Sequence, residues 1–150
     1  MIQLNESLSV ATTQLSPNQL KQAAQAGYQS VLNLRSPNEP GFLENEQQLV
    51  ESVGLQYAHI PVNPAQITDS LTDQVLVTIG QLKKPILIHC KSGVRSGAMA
   101  LIFMAQNEGL TADRALSISK ELGIGLDAQP QIKQFVHHYI DVHRQAYTAA

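Results

Sequence analysis

Only one cysteine, Cys90, stands in this chain, and there is no tryptophan. A lone cysteine excludes an intramolecular disulfide framework and fits a reducing compartment. Charge is scarce as well: charged residues make up 15% of the chain, with no Lys/Arg run and a formal net charge of −2. That balance leaves no electrostatic footprint for nucleic acid or an anionic membrane surface. The longest apolar run, close to AMALIFMA (98–105), falls far short of the ~18 residues a membrane span requires. The opening MIQLNESLSV has no basic segment followed by an apolar one, so no export signal is expected. These absences predict a cytoplasmic protein with neither nucleic acid nor membrane as a partner.

What is present is an ordinary globular composition, 43% apolar over 150 residues, which suffices for one domain with a real core. Strand and helix signals alternate. LSVA (8–11) reads as a first strand. Ser16-Pro17 reads as the N-cap and first position of a helix that Gly27 stops. SVLNLR (30–35) reads as a strand followed by the turn SPNEPG (36–41), and ENEQQLVESV (44–53) as a helix stopped by Gly54. LQYAHIPV (55–62) is a further strand, and Ser70 with Asp73 resembles a capping box ahead of a helix through Leu82. PILIHC (85–90) is short and nearly all apolar, as expected of a central strand buried on both faces. Helical stretches at about 96–108, 111–122 and 129–146 complete the chain, with Gly109 and Gly123 as stops. The alternation predicts an α/β fold: a mostly parallel central sheet of about four to five strands, covered by helices on both faces.

The stretch IHCKSGVRSG (88–97) carries the chemistry. It sits where a strand end runs into a helix N-terminus, the usual ligand position in such sheets. Ser92, Gly93, Ser96 and Gly97 are small enough for the backbone to curl into a nest of inward N–H groups. Arg95 adds a planar fork of donors suited to an oxyanion. The same field acts on Cys90, whose free thiol would be only a few per cent thiolate at neutral pH. Lowering it by ~3 units requires about 4 kcal/mol, and a helix dipole supplies at best ~2. The nest amides and Arg95 must therefore provide most of the remainder. Alone, Cys90 would read as a buried structural thiol; within H-C-x-x-G-x-R-S at a strand-to-helix junction it reads as a nucleophile.

His89-Cys90, Gly93 and Arg95-Ser96 resemble the signature loop of cysteine-dependent phosphatases, including the dual-specificity enzymes. From LSVATTQLSPNQL through VLNLR to HCKSGVRS, nearly the whole chain resembles the phosphatase-like domain of the bacterial beta-lactamase hydrolase-like proteins. The resemblance implies a phosphatase-type α/β fold with Cys90, Arg95 and Ser96 as catalytic residues. It also implies an anion-binding loop of Lys91, Ser92, Gly93, Val94 and Arg95, braced by His89. Two departures stand out. Four residues separate Cys90 from Arg95, one fewer than in those phosphatases and similar to many rhodaneses. The segment Asn63-Pro64-Ala65-Gln66 also lacks the carboxylate that dual-specificity phosphatases place there as general acid. Asp69 and Asp73 follow slightly later, and helix capping explains both better than acid catalysis does.

Three functions are left open. A phosphatase would use the Cys90 thiolate on phosphorus, forming a phosphocysteine that water clears while Ser96 eases departure of the thiolate. A rhodanese-like sulfurtransferase would carry sulfur on Cys90 as a persulfide and pass it to a thiol acceptor. A binding module would merely hold an anion. In every case the partner is a small oxyanion or a phosphorylated substrate, and no cofactor or metal is implied. His137, His138 and His143 lack an i, i+4 pairing and read as surface polarity on the last helix. His59 reads as sheet surface, and Arg35 with Glu39 as a structural ion pair near the loop.

Overall fold

The computed structural model describes the backbone of residues 1–149 and the side chains of residues 1–144. Among the described residues the strands are β1 (Ile2–Gln3), β2 (Leu8–Ala11), β3 (Ser30–Asn33), β4 (Gln56–His59) and β5 (Ile86–His89). The helices are α1 (Pro17–Gln25), α2 (Glu46–Ser52), α3 (Asp69–Gln81), α4 (Val94–Glu108), α5 (Ala112–Leu122) and α6 (Pro130–Ala149). The sheet order is β1-β2-β5-β3-β4, with β2, β5, β3 and β4 mutually parallel and only β1 antiparallel. The strand expected to be central is therefore central: β5 lies between β2 and β3, with Ile86, Leu87 and Ile88 fully buried. Each such side chain removes apolar surface worth ~1.5–3 kcal/mol from water.

The period of two along β5 sorts the site residues to opposite faces. Ile86, Ile88 and Cys90 join the larger core with α3, α4, α5 and α6, whereas Leu87 joins the smaller core with α1 and α2. His89 follows Leu87's parity and therefore points toward α1 and α2, away from Cys90. In register, Ala11, His89, Asn33 and His59 form one row across the carboxyl ends of the parallel strands. Cys90 lies immediately beyond that row, in the crevice where open α/β sheets hold ligands.

Several boundaries differ from the sequence reading, each for a local reason. The α3 N-cap is Thr68, whose side chain accepts the Leu71 N–H at 3.1 Å, so Ser70 lies inside the helix and makes no capping box with Asp73. Strand β3 stops at Asn33 because its Oδ1 takes the Arg35 N–H at 2.9 Å, diverting the backbone from the ladder. Helix α4 starts two residues earlier than expected because Gly93 serves as its N-cap in the left-handed region at φ 92°. The edge strand β1 and a 3-10 turn at Leu126–Ala128 are too short to leave a periodic signal. No described helix is long and apolar enough to cross a membrane.

Candidate active site

Cys90 directly follows the central strand, and the chain turns within Lys91, Ser92 and Gly93 into α4. The left-handed Gly93 makes that turn possible, and a Cβ there would stand 3.3 Å from the Thr12 backbone. Its N–H donates to Cys90 Sγ at 3.2 Å, and Ser96 Oγ, in the first turn of α4, lies 3.4 Å from the same sulfur. Cys90 is 1% exposed. Burial, the largest single influence, pushes its thiol up. The Ser96 hydroxyl, the backbone N–H groups of Ser96 and Ser92 and the charge of Arg95 act the other way and prevail, holding the thiol below its ordinary value. Beyond the helix dipole, the sequence called for the amides and Arg95; the Ser96 hydroxyl, first among the lowering groups, was not among them. Lys91 and Ser92 are exposed and Val94 is half-buried, while Gly93, Arg95 and Ser96 are buried.

Arg95 does not stand free. Its Nη1 and Nη2 donate to Glu39 Oε2 and Oε1, both at 2.8 Å, and Nη1 also donates to the Val62 carbonyl at 2.9 Å. The bidentate geometry fixes the plane of the fork. Glu39 receives in addition the Ser36 N–H at 2.6 Å and Arg35 Nε at 3.4 Å. The Arg95 bonds, outweighing the opposing effect of burial, hold the Glu39 carboxyl down at about 2. Arg95's own value is raised, first by Glu39, and the Cys90 thiolate adds to that rise. The ion pair between Arg35 and Glu39 expected from sequence is thus present. The attachment of Glu39 to Arg95 was missed, although it follows once β3 and β5 are neighbours, since the turn after β3 then faces the loop after β5.

Behind the loop, His89 Nε2 lies 2.7 Å from Glu46 Oε2, both residues being almost fully buried. Glu46 Oε1 accepts from Gln14 Nε2 at 2.6 Å, and Gln14 Oε1 accepts from Arg35 Nη1 at 2.8 Å. Arg35 also donates to the Pro40 and Gly41 carbonyls at 2.6 and 3.3 Å, which ties down the turn carrying Glu39. His89, expected to brace the loop, is paired with Glu46, which the sequence reading did not single out. One signal was available: Glu46 shares a helix face with Val50, four residues on, and so had to be buried. Tyr57, whose hydroxyl accepts from Asn33 Nδ2 at 3.1 Å, lines the same side; burial, with help from Glu46, pushes its phenol up to about 12.

The other singled-out residues fall elsewhere. Asp69 opens α3, and Asp73 accepts a hydrogen bond from the Tyr139 hydroxyl of α6, whereas the hydrogen bonds of the Cys90 loop involve neither. His59 is not mere sheet surface: its Nε2 is 2.5 Å from the Arg35 carbonyl and its ring packs on Phe42 at 5.3 Å. His137 makes an exposed pair with Asp113 at 3.1 Å, and His143 stacks on Tyr139 at 3.8 Å. Among the described residues there is no cluster of three or more His, Cys, Asp or Glu that would hold a metal ion.

The family profile for the phosphatase-like domain of beta-lactamase hydrolase-like proteins matches residues 1–107. The chain belongs to this family. A beta-lactamase hydrolase-like protein of Xylella fastidiosa (strain Temecula1) is 32% identical over 100 residues, covering 64% of this chain and 23% of the relative. One from Agrobacterium fabrum is 27% identical over 99 residues, covering 63% and 22%. The chain thus matches under a quarter of the length of these curated relatives. Among solved structures, a DUF442 candidate phosphatase from Shewanella putrefaciens CN-32 superposes with TM-score 0.78 at 20% identity, covering 94% of this chain and 88% of that one. TpbA of Pseudomonas aeruginosa, in complex with phosphotyrosine, superposes with TM-score 0.77 at 16% identity, covering 98% and 89%. The phosphatase-like domain accordingly has the α/β fold of the cysteine-dependent phosphatases.

Proposed function

We propose that the domain hydrolyses phosphate monoesters, with Cys90 as nucleophile. The observation that carries this reading is the geometry of the loop in a chain of the phosphatase-like family: Cys90 Sγ takes the Gly93 N–H at 3.2 Å and lies 3.4 Å from Ser96 Oγ, with Arg95 fixed beside it by Glu39. The Cys90 thiolate attacks phosphorus in line, the bond to the ester oxygen breaks, and the leaving group departs as an alkoxide or phenoxide that takes up a proton. Water then attacks the phosphocysteine, releasing phosphate and returning the thiolate, with the Ser96 hydroxyl donating to the departing sulfur. The Arg95 fork is engaged by Glu39, by the Val62 carbonyl, by the Leu34 carbonyl at 3.5 Å and by the Cys90 sulfur. In the proposed reaction the phosphate oxygens take the donors that face the sulfur, from Arg95 and from the loop amides.

Aryl phosphates of the phosphotyrosine type are the substrates that suit this site best. A general acid contributes ~10²–10⁴-fold to such reactions. Asp73 is engaged by Tyr139 and Asp69 lies at the head of α3, so either would have to be recruited to act. Phenoxide leaving groups need that help least. The phosphotyrosine held by TpbA on the same fold supports the choice.

Sulfur transfer is the second reading, favoured by the four-residue spacing between Cys90 and Arg95. A persulfide step expels no strongly basic alkoxide and needs no acid. The two are separated by assaying aryl phosphate hydrolysis and thiosulfate-dependent mass increase on wild type and Cys90→Ser. Cys90-dependent phosphate release with no added sulfur supports the phosphatase. A sulfur adduct removable by cyanide, without phosphate release, replaces it by the sulfurtransferase. Neither signal would leave an anion-binding module.

A further inference from the structure

The geometry points to Gln14 as a positioning residue that joins the two halves of the site, the Cys90 strand end and the Arg95 clamp. The proposal rests on the reading of the Cys90 loop as an oxyanion site, whichever reaction follows. Starting from the sulfur side, His89 adjoins Cys90 and meets Glu46 at 2.7 Å; Glu46 meets Gln14 at 2.6 Å. From there Gln14 meets Arg35 at 2.8 Å, Arg35 meets Glu39 at 3.4 Å, and Glu39 meets Arg95 through its two 2.8 Å bonds. The chain of contacts leaves the loop at His89 and returns to it at Arg95.

Gln14 suits its place through its two unlike ends. An amide offers an acceptor to a guanidinium and a donor to a carboxylate from two separate atoms at once. Here Oε1 faces Arg35 and Nε2 faces Glu46, so both orientation and register are determined. Arg35 and Glu46 are 2% and 1% exposed, which makes their polar atoms dependent on these partners. Gln14 itself is half-buried in the connection between β2 and α1, just beyond Ala11, the register partner of His89. It therefore fixes Arg35, which holds the Pro40 and Gly41 carbonyls and so the turn that aims Glu39 at Arg95. The charge of Arg95 is one of the influences lowering the Cys90 thiol. Displacing Gln14 should consequently be felt at the sulfur without any residue of the loop being altered.

The test reads the pH midpoint of Cys90 alkylation by iodoacetamide, which requires neither phosphate binding nor turnover. Gln14→Leu keeps the bulk and removes the bonds to Arg35 and Glu46, with a third from Nε2 to the Leu15 carbonyl at 3.2 Å; Gln14→Glu sets a second carboxylate against Glu46. Both should raise the midpoint by about half a unit or more, roughly a threefold loss of thiolate below it. The exchange Gln14→Glu with Glu46→Gln preserves every donor–acceptor pairing, from Arg35 through to His89, and should return the midpoint to near wild type. Melting temperatures of the same proteins register a merely structural role. A melting shift with an unmoved midpoint in Gln14→Leu, or an exchange variant no closer to wild type than Gln14→Glu, overturns the proposal. Protection by inorganic phosphate in the same samples reports separately on the oxyanion reading: unprotected wild-type Cys90 counts against that reading, while the midpoints still decide the role of Gln14.

Discussion

Glu39→Gln isolates the clamp that holds Arg95. In the folded protein the Glu39 carboxyl is at about 2 against an ordinary 4.5. That difference corresponds to roughly 3 kcal/mol of stabilisation by the ionised form, at 1.36 kcal/mol per unit. Glu39 is 19% exposed, so partial screening by solvent trims this toward ~2–3 kcal/mol. A folded value below the unfolded one means that the stabilisation is present above pH ~4.5 and is lost as the pH falls toward 2. Glutamine occupies the same volume but cannot ionise, so the variant should be less stable at pH 7 by the full amount. For a domain of this size that is about 5–10 °C in melting temperature. Thermal unfolding of both proteins from pH 7 to pH 2 should show the gap closing over that interval. A gap that stays constant with pH, or none at pH 7, would refute the assignment of the Arg95–Glu39 pair as an ionic clamp.

Other outcomes follow from the same contacts. Ser96→Ala removes a hydroxyl 3.4 Å from Cys90 Sγ, so the pH midpoint of Cys90 alkylation should rise and phosphocysteine breakdown should slow, by about tenfold in single-turnover assays. His89→Ala leaves the buried Glu46 carboxylate without its imidazole partner, and guanidinium unfolding should show a loss of ~3–5 kcal/mol. Gly97→Ala puts a methyl 2.6 Å from Ile124 Cγ2 and should cost ~1–3 kcal/mol in the same measurement, which relief by Ile124→Val would attribute to that clash.

The sequence made the central features legible because they rest on local patterns. The apolar run at 86–88 and the Pro17 and Gly109 boundaries are read from neighbours in the chain, and the small residues after Cys90 announce a tight turn into a helix. What escaped notice depends on which strands become neighbours. Glu39 and Arg95 are 56 residues apart, and Glu46 and His89 are 43 apart. Their pairing exists only because β3 and α2 pack beside β5. Gln14 left no signal at all, since a glutamine in a polar connection is ordinarily solvated. His59 was misjudged for a related reason: its strand is at the sheet edge, but the turn after β3 folds back over it and supplies Phe42 and the Arg35 carbonyl.

In the proposed reaction Cys90 itself takes the phosphoryl group. Rapid acid quench of the domain during turnover of an aryl phosphate, followed by intact mass and peptide mapping, tests it most directly. The expected result is a transient species heavier by one phosphoryl group, mapped to Cys90 and absent from Cys90→Ser. Phosphate release that persists in Cys90→Ser, or an adduct mapped to any other residue, would contradict it.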